Sequence, residues 1–210
     1  MVSMFTSLLF MISLLSGSGG GPPSDGLTLY QPNSSSTAYL INMDGSVAHT
    51  WVGTANPGNA VYLDGTDLIR TIRTAGGGVP GGSGGRVERV AWDGTVLWGY
   101  TMDIPLTYLH HHDIELMPNG NVLMLIFDYR SADEAEAEGR NRSLIIGDYF
   151  ISERIIEVDP SAPSGSEIVW EWFAFDHLIQ DYDDTQSNYG VVADNPGLID
   201  INFPPGGADD

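Results

Sequence analysis

The chain has 210 residues, 42% apolar and 10% aromatic, with 28 acidic side chains against 8 basic ones for a formal charge of -20 at pH 7. So negative a surface repels nucleic acid and anionic membranes, which excludes both as partners, and the lack of cysteine removes disulfides, zinc-thiolate sites and thiol nucleophiles. The apolar share supports one buried core, as a single domain or part of a larger one, and 26 Gly with 12 Pro imply many turns rather than long helices.

At the N-terminus, Met4 to Leu15 form an apolar run shorter than the about 20 residues a bilayer span needs. Small residues from Ser16 to Gly21 follow, the order of the hydrophobic region and cleavage zone of a secretory signal. No Lys or Arg precedes the run, so a buried strand or a misassigned start is the other reading. The expectation is a signal peptide over residues 1–21, a Gly/Pro linker over 22–26, and export to the periplasm or the cell exterior.

From Ala38 the chain alternates short apolar and aromatic runs with Asp-Gly, Asn-Gly or Asp-Pro turns, the strongest short-range hairpin signal. Ala38 to Trp51 turns at Asp44-Gly45, Val87 to Trp98 at Asp93-Gly94, and Arg154 to Trp172 at Asp159-Pro160. Each reads as strand, tight turn, and strand ending in tryptophan. A second kind of hairpin lies between these copies: Val61 to Arg70 around Asp64-Gly65, and Ile114 to Met124 around Asn119-Gly120.

Two hairpins make a four-stranded unit, and the 49 residues from Asp44 to Asp93 match a propeller blade of roughly 40 to 50 residues. The next step, Asp93 to Asp159, is 66 residues, and its excess falls in Ser131 to Arg142, an acidic stretch suited to a solvated helical excursion. The sequence therefore predicts an all-β fold, a β-propeller over residues 27–210, in preference to a sandwich or barrel. Three units and part of a fourth fit, giving about three to four blades, whereas closed propellers typically have 4 to 8.

The densest chemistry is His110, His111 and His112 followed by Asp113, at the mouth of the Ile114 hairpin. Imidazole titrates near neutrality and serves as nucleophile, base or metal ligand. The competing reading is a polar strand entrance whose histidines satisfy backbone groups. Asp181, Asp183, Asp184, Thr185 and Ser187 offer oxygen ligands at nearly alternating positions but lack the glycine turn and closing glutamate of an EF-hand, which favours a solvated loop. Asp176 reads as a cap opening a short helix at His177 to Gln180, or as a partner of His177. Gly76 to Gly78 and Gly81 to Gly85 read as a loop between strands, since no Walker lysine accompanies them. Arg70, Arg73, Arg86 and Arg89 flank that loop, where they could face an anion, but exposed arginines at strand ends are usually solvated and no role is assigned to them; Trp51, Trp92, Trp98, Trp170 and Trp172 read as packing between blades.

With strands and turns placed, four stretches resemble the bacterial arylsulfate sulfotransferases. They are Gly26 to Pro32 with Ala38 to Trp51; Gly84 to Trp98; His111-His112-Asp113 with Pro118 to Leu123; and Trp170-Glu171-Trp172 through Asp176 to Asp181, Asn188 to Gly190 and Leu198 to Asn202. The likeness spans nearly everything after the linker, and its last stretch is the most specific.

The resemblance implies a six-bladed propeller that moves a sulfuryl group from a phenolic sulfate to a phenol through a sulfo-histidine intermediate. It implies no nucleotide sulfate donor and no other cofactor; calcium has no support in the residues. The partners implied are small phenolic sulfates and phenols. A neutral imidazole is a competent nucleophile, and splitting the transfer lets one site serve donor and acceptor in turn. The match to the family's His-His-Asp run makes His111 and His112 the expected site residues, as sulfuryl-oxygen ligands or proton handlers, with Asp113 orienting one of them. His110 is an extra, at the rim or in packing.

Family members continue from Leu-Ile-Asp-Ile-Asn into a Trp-x-His-x-Asn run, a strand ending in arginine and a further histidine, and many place a histidine after Trp-Glu-Trp. This sequence has Phe173 at the latter place and ends at Asp210. The expectation is the N-terminal half of a longer protein, lacking the nucleophilic histidine and inactive alone. Two other classes compete: a non-catalytic surface-binding propeller, and a quinone-dependent dehydrogenase-type propeller, whose blades share the turn and the tryptophan.

Overall fold

The computed structural model describes residues 24–74 and 82–203, so the expected signal segment lies outside the described residues. The described chain is all-β apart from short helical turns, and the strands of its three larger sheets pair antiparallel in chain order. Strands β1 (Thr28–Tyr30), β2 (Thr37–Ile41) and β3 (Val47–Val52) form the first sheet. Strands β4 (Pro57–Asp64), β5 (Asp67–Arg73), β6 (Gly85–Val90) and β7 (Val96–Thr101) form the second. The third runs through β8 (Asp103–Ile104), β9 (Tyr108–Leu116), β10 (Val122–Ser131), β11 (Tyr149–Val158) and β12 (Ile168–Phe173).

All five sequence-predicted turns join adjacent strands. At Asp44-Gly45 and Asp93-Gly94 the aspartate Oδ1 accepts a backbone N–H two residues on, and the glycines take φ of +82° and +90°, which other residues adopt only with strain. The two hairpin kinds alternate as read: β4–β5 with β6–β7 complete one sheet, and β9–β10 with β11–β12 make up most of the next.

Alternation along β5 builds the core. Leu68 faces the first sheet, with Ala38, Leu40, Trp51 and Val90, while Ile69 faces the third, with Val87, Met124, Ile126 and Ile156. The second sheet is thus covered on both faces, which is why Leu68 to Thr71 are all buried. Each such Leu or Ile contributes about 1.5–3 kcal/mol over its exposed state.

The excursion between β10 and β11 contains helix α1 (Ala132–Ala137). Ser131 Oγ accepts the Glu134 N–H while the Glu134 carboxylate accepts the Ser131 N–H, a reciprocal cap, and Ala132 and Ala135 turn inward. Replacing Ser131 by alanine is expected to cost about 1 kcal/mol, read as a lower urea midpoint.

Three sequence expectations are corrected. Three of the four arginines are paired with carboxylates, Arg70 buried against Glu88, Arg86 on the same carboxylate, and Arg89 bridging Asp64 and Asp67, while Arg73 stays exposed. Arg73 Nε reaches the Ser83 carbonyl. The tryptophans divide: Trp51 is buried and Trp98 packs on the core, but Trp92 and Trp170 are exposed. No helix opens at His177, because Leu178–Ile179 is a strand, β13, paired in parallel with β14 (Ile199–Asp200). His177 instead locks the preceding turn, its Nδ1 2.9 Å from the Phe173 carbonyl and its Nε2 accepting Trp172 Nε1–H at 3.1 Å.

Candidate functional site

The histidine run sits in an irregularity of β9. Ile114 pairs with Met124 and His110 with Ile126, so three residues of β9, His111 to Asp113, oppose the single Leu125 of β10. Extra residues bend a strand and re-aim its side chains. Here His112 is driven into the left-handed region at φ +52°, a conformation costly for a non-glycine residue.

The glycine-rich segment before β6 supports the run from behind, a relation that spacing did not reveal. The Gly82 carbonyl accepts the His112 N–H at 2.7 Å, and the Gly84 N–H donates to the His110 carbonyl at 3.0 Å. Side chains have no room there: a Cβ on Gly82 would lie 2.2 Å from His112 Cε1, and one on Gly84 2.5 Å from His110 Nδ1.

The three imidazoles have distinct surroundings. His110 is fully buried, with its Nδ1 3.4 Å from the Gly85 nitrogen and its Nε2 3.4 Å from the Asp113 carbonyl. Burial pushes it down to about 4, so it is neutral at physiological pH and acts in packing. His111 is buried and stacks on Phe127, centroids 3.6 Å apart and planes at 10°. Its Nε2 lies 2.8 Å from the Glu153 carboxylate and its Nδ1 2.8 Å from His112 Nδ1. His112 is exposed.

The carboxylate that meets a histidine ring is therefore that of Glu153, on β11, and not that of Asp113. Asp113 Oδ1 accepts the Tyr62 hydroxyl at 2.7 Å and the Ile114 N–H at 2.8 Å. The hydrogen bond to Asp113 pushes the Tyr62 phenol up to about 12, keeping it protonated. Glu153 and Tyr62 escaped the sequence reading, since they join the site only through the β10–β11 register, Phe127 opposite Glu153, and the β4–β9 approach.

Beside Asp113 lies a shallow hollow of about 230 Å³, walled by Ile114, Leu123, Leu125 and Ile155. Roomier clefts of about 340 and 400 Å³, one beside the Asn119-Gly120 turn and one around Arg140 and Phe203, contain no histidine. Among the described residues, no three His, Cys, Asp or Glu side chains are grouped to hold a metal ion. In the aspartate-rich loop, Asp183 Oδ1 is engaged by the Thr185 N–H and hydroxyl, a turn-forming contact. The site is thus a carboxylate, a buried imidazole and an exposed imidazole in series, a combination able to move protons.

No family model and no curated protein matches the chain. A crystal structure of a protein of unknown function from Bacteroides caccae is similar at a TM-score of 0.43 and 13% identity, over 71% of this chain and 41% of that one. The chain spans less than half the length of that protein.

Proposed function

We propose that the chain is part of an exported, arylsulfate sulfotransferase-like β-propeller, and that His111 and His112 handle the phenol proton during sulfuryl transfer between a phenolic sulfate and a phenol. The observation carrying the reading is the His111–His112 contact at 2.8 Å, with one ring buried against a carboxylate and the other open to solvent. Sulfuryl transfer to a phenol requires a base for the incoming hydroxyl and an acid for the departing phenolate, and one histidine serves both in turn. The apolar hollow beside Asp113 has room for a single ring, and two consecutive up-and-down sheets suit successive blades. The sulfur-attacking histidine is assigned to no residue here, because none of the five tryptophans begins a Trp-x-His-x-Asn run.

The test supplies 4-nitrophenyl sulfate as donor and phenol as acceptor to protein translated from its whole reading frame. Release of nitrophenol that depends on phenol is expected, with H112A slowing it by about 100-fold, the scale of general acid–base catalysis. No phenol-dependent release above the buffer rate would falsify the reading, and release untouched by both H111A and H112A would remove these two residues from it.

A further inference from the structure

We infer that Glu153, His111 and His112 form an ordered proton relay in which His112 Nε2 is the working atom and Glu153 the positioning residue. The inference rests on the sulfuryl-transfer reading only for the identity of the proton's donor. The order follows from hydrogen-bond inventory. An ionised carboxylate only accepts, so His111 Nε2, 2.8 Å from Glu153, carries the hydrogen. A neutral imidazole has one N–H, which leaves His111 Nδ1 as an acceptor. His112 Nδ1, 2.8 Å away, must then donate to it. The second nitrogen of His112, Nε2, is left with its lone pair, and among the described residues it has no hydrogen-bond partner.

Packing holds the relay in this order. Phe127 stacks under His111, the Gly82 backbone closes behind His112, and the left-handed backbone at His112 is maintained by its N–H to the Gly82 carbonyl. Asp113 does not compete, being occupied by Tyr62 and the Ile114 N–H.

Applied to a phenol, the chemistry balances. The acceptor's O–H bond breaks, its proton forms a new N–H bond at His112 Nε2, and the electron pair stays on the oxygen, which attacks sulfur as the S–N bond of the sulfo-histidine breaks and returns its electron pair to that imidazole. The resulting His112 imidazolium keeps its Nδ1–H on His111, whose Nε2–H faces the Glu153 negative charge. In the donor half-reaction the nucleophilic histidine's nitrogen forms the S–N bond, the S–O bond breaks, and the same proton returns to the departing phenolate.

Long-range 1H–15N correlation spectra of the labelled 210-residue protein, at a pH where the pair is neutral, read the tautomers directly. The expected result is a single Nε2–H form for His111 and a single Nδ1–H form for His112, with E153A converting His111 to a mixture and releasing His112. Glu153 is half-exposed, so E153A leaves the core intact, and the dispersion of the same spectra checks this. An Nε2–H form at His112, or tautomers unchanged by E153A, overturns the relay. In the sulfuryl-transfer assay, E153A is expected to lower kcat roughly tenfold or more at unchanged KM for the donor, with E153D restoring it. Transfer undiminished in E153A overturns the relay and leaves the function standing. The expected tautomers without any transfer uphold the relay and overturn the function.

Discussion

Acidifying the protein from neutrality to about pH 4 is expected to remove about 3 kcal/mol of folding stability through His110 alone. The unfolded imidazole titrates near about 6.5, whereas burial holds the folded one at about 4. Between those values the unfolded chain binds the additional proton, so stability rises with pH through the window and is lost as pH falls below the unfolded value. The carboxylates act lower. Burial tends to raise the Glu88 carboxyl, but hydrogen bonds from Arg70 and Arg86 outweigh this and hold it below its ordinary value of 4.5, so its contribution is lost only beneath that. Between about pH 6.5 and 4.5 the Glu88 contribution is retained, and the difference in urea midpoint between H110L and the parent reads His110. In H110L, which gives up only two long contacts of 3.4 Å, the midpoint should fall less across that window than the parent's does. Parallel curves would show that the imidazole is not buried neutral.

The contrast between His110 and its neighbours shows where sequence reading stops. Turn chemistry is local, so Asp44-Gly45 or Asn119-Gly120 announces a hairpin from adjacent residues, and the all-β class follows from repeating it. Which of three consecutive histidines stays exposed depends on the two additional residues that β9 carries opposite Leu125, and strand pairing is invisible before register is known. Glu153 was hidden for the same reason. It stands opposite Phe127 only because β10 and β11 pair without a slip across the helical excursion between them, whose length masks the hairpin. His177 misled in the other direction. Its local cue was an aspartate suited to capping, but parallel pairing with β14 made Leu178 and Ile179 a strand, a tertiary contact overriding a local preference.

Replacing Glu88 by alanine is expected to destabilise the fold by about 3–5 kcal/mol, the scale for breaking a buried ion pair from one side. The side chains of Arg70 and Glu88 are only 6% and 10% exposed, and two N–H groups of Arg70 share one carboxylate oxygen at 2.9 and 3.3 Å. Arg70 Nη1 has no partner, and its guanidinium is admitted only because Gly53 lacks a Cβ, which would lie 2.6 Å from that nitrogen. Without Glu88 the Arg70 charge stays buried against the first sheet with nothing to answer it, whereas the more exposed Arg86 can turn to water. R70M should cost less, since Glu88 retains Arg86. The double variant R70M/E88L should recover most of the loss, because apolar side chains of similar volume avoid the desolvation of both ions. Urea midpoints of the four proteins decide it. If E88A costs no more than R70M, the pair is wetter than its burial implies. Because Arg70 and Glu88 are direct cross-strand partners on β5 and β6, recovery in the double variant would also mean that the pair contributes little net stability. Its role would then lie in register: a one-residue slip of either strand would turn its charge to the opposite face, into the apolar core with Ile69 and Val87, and leave its partner unanswered.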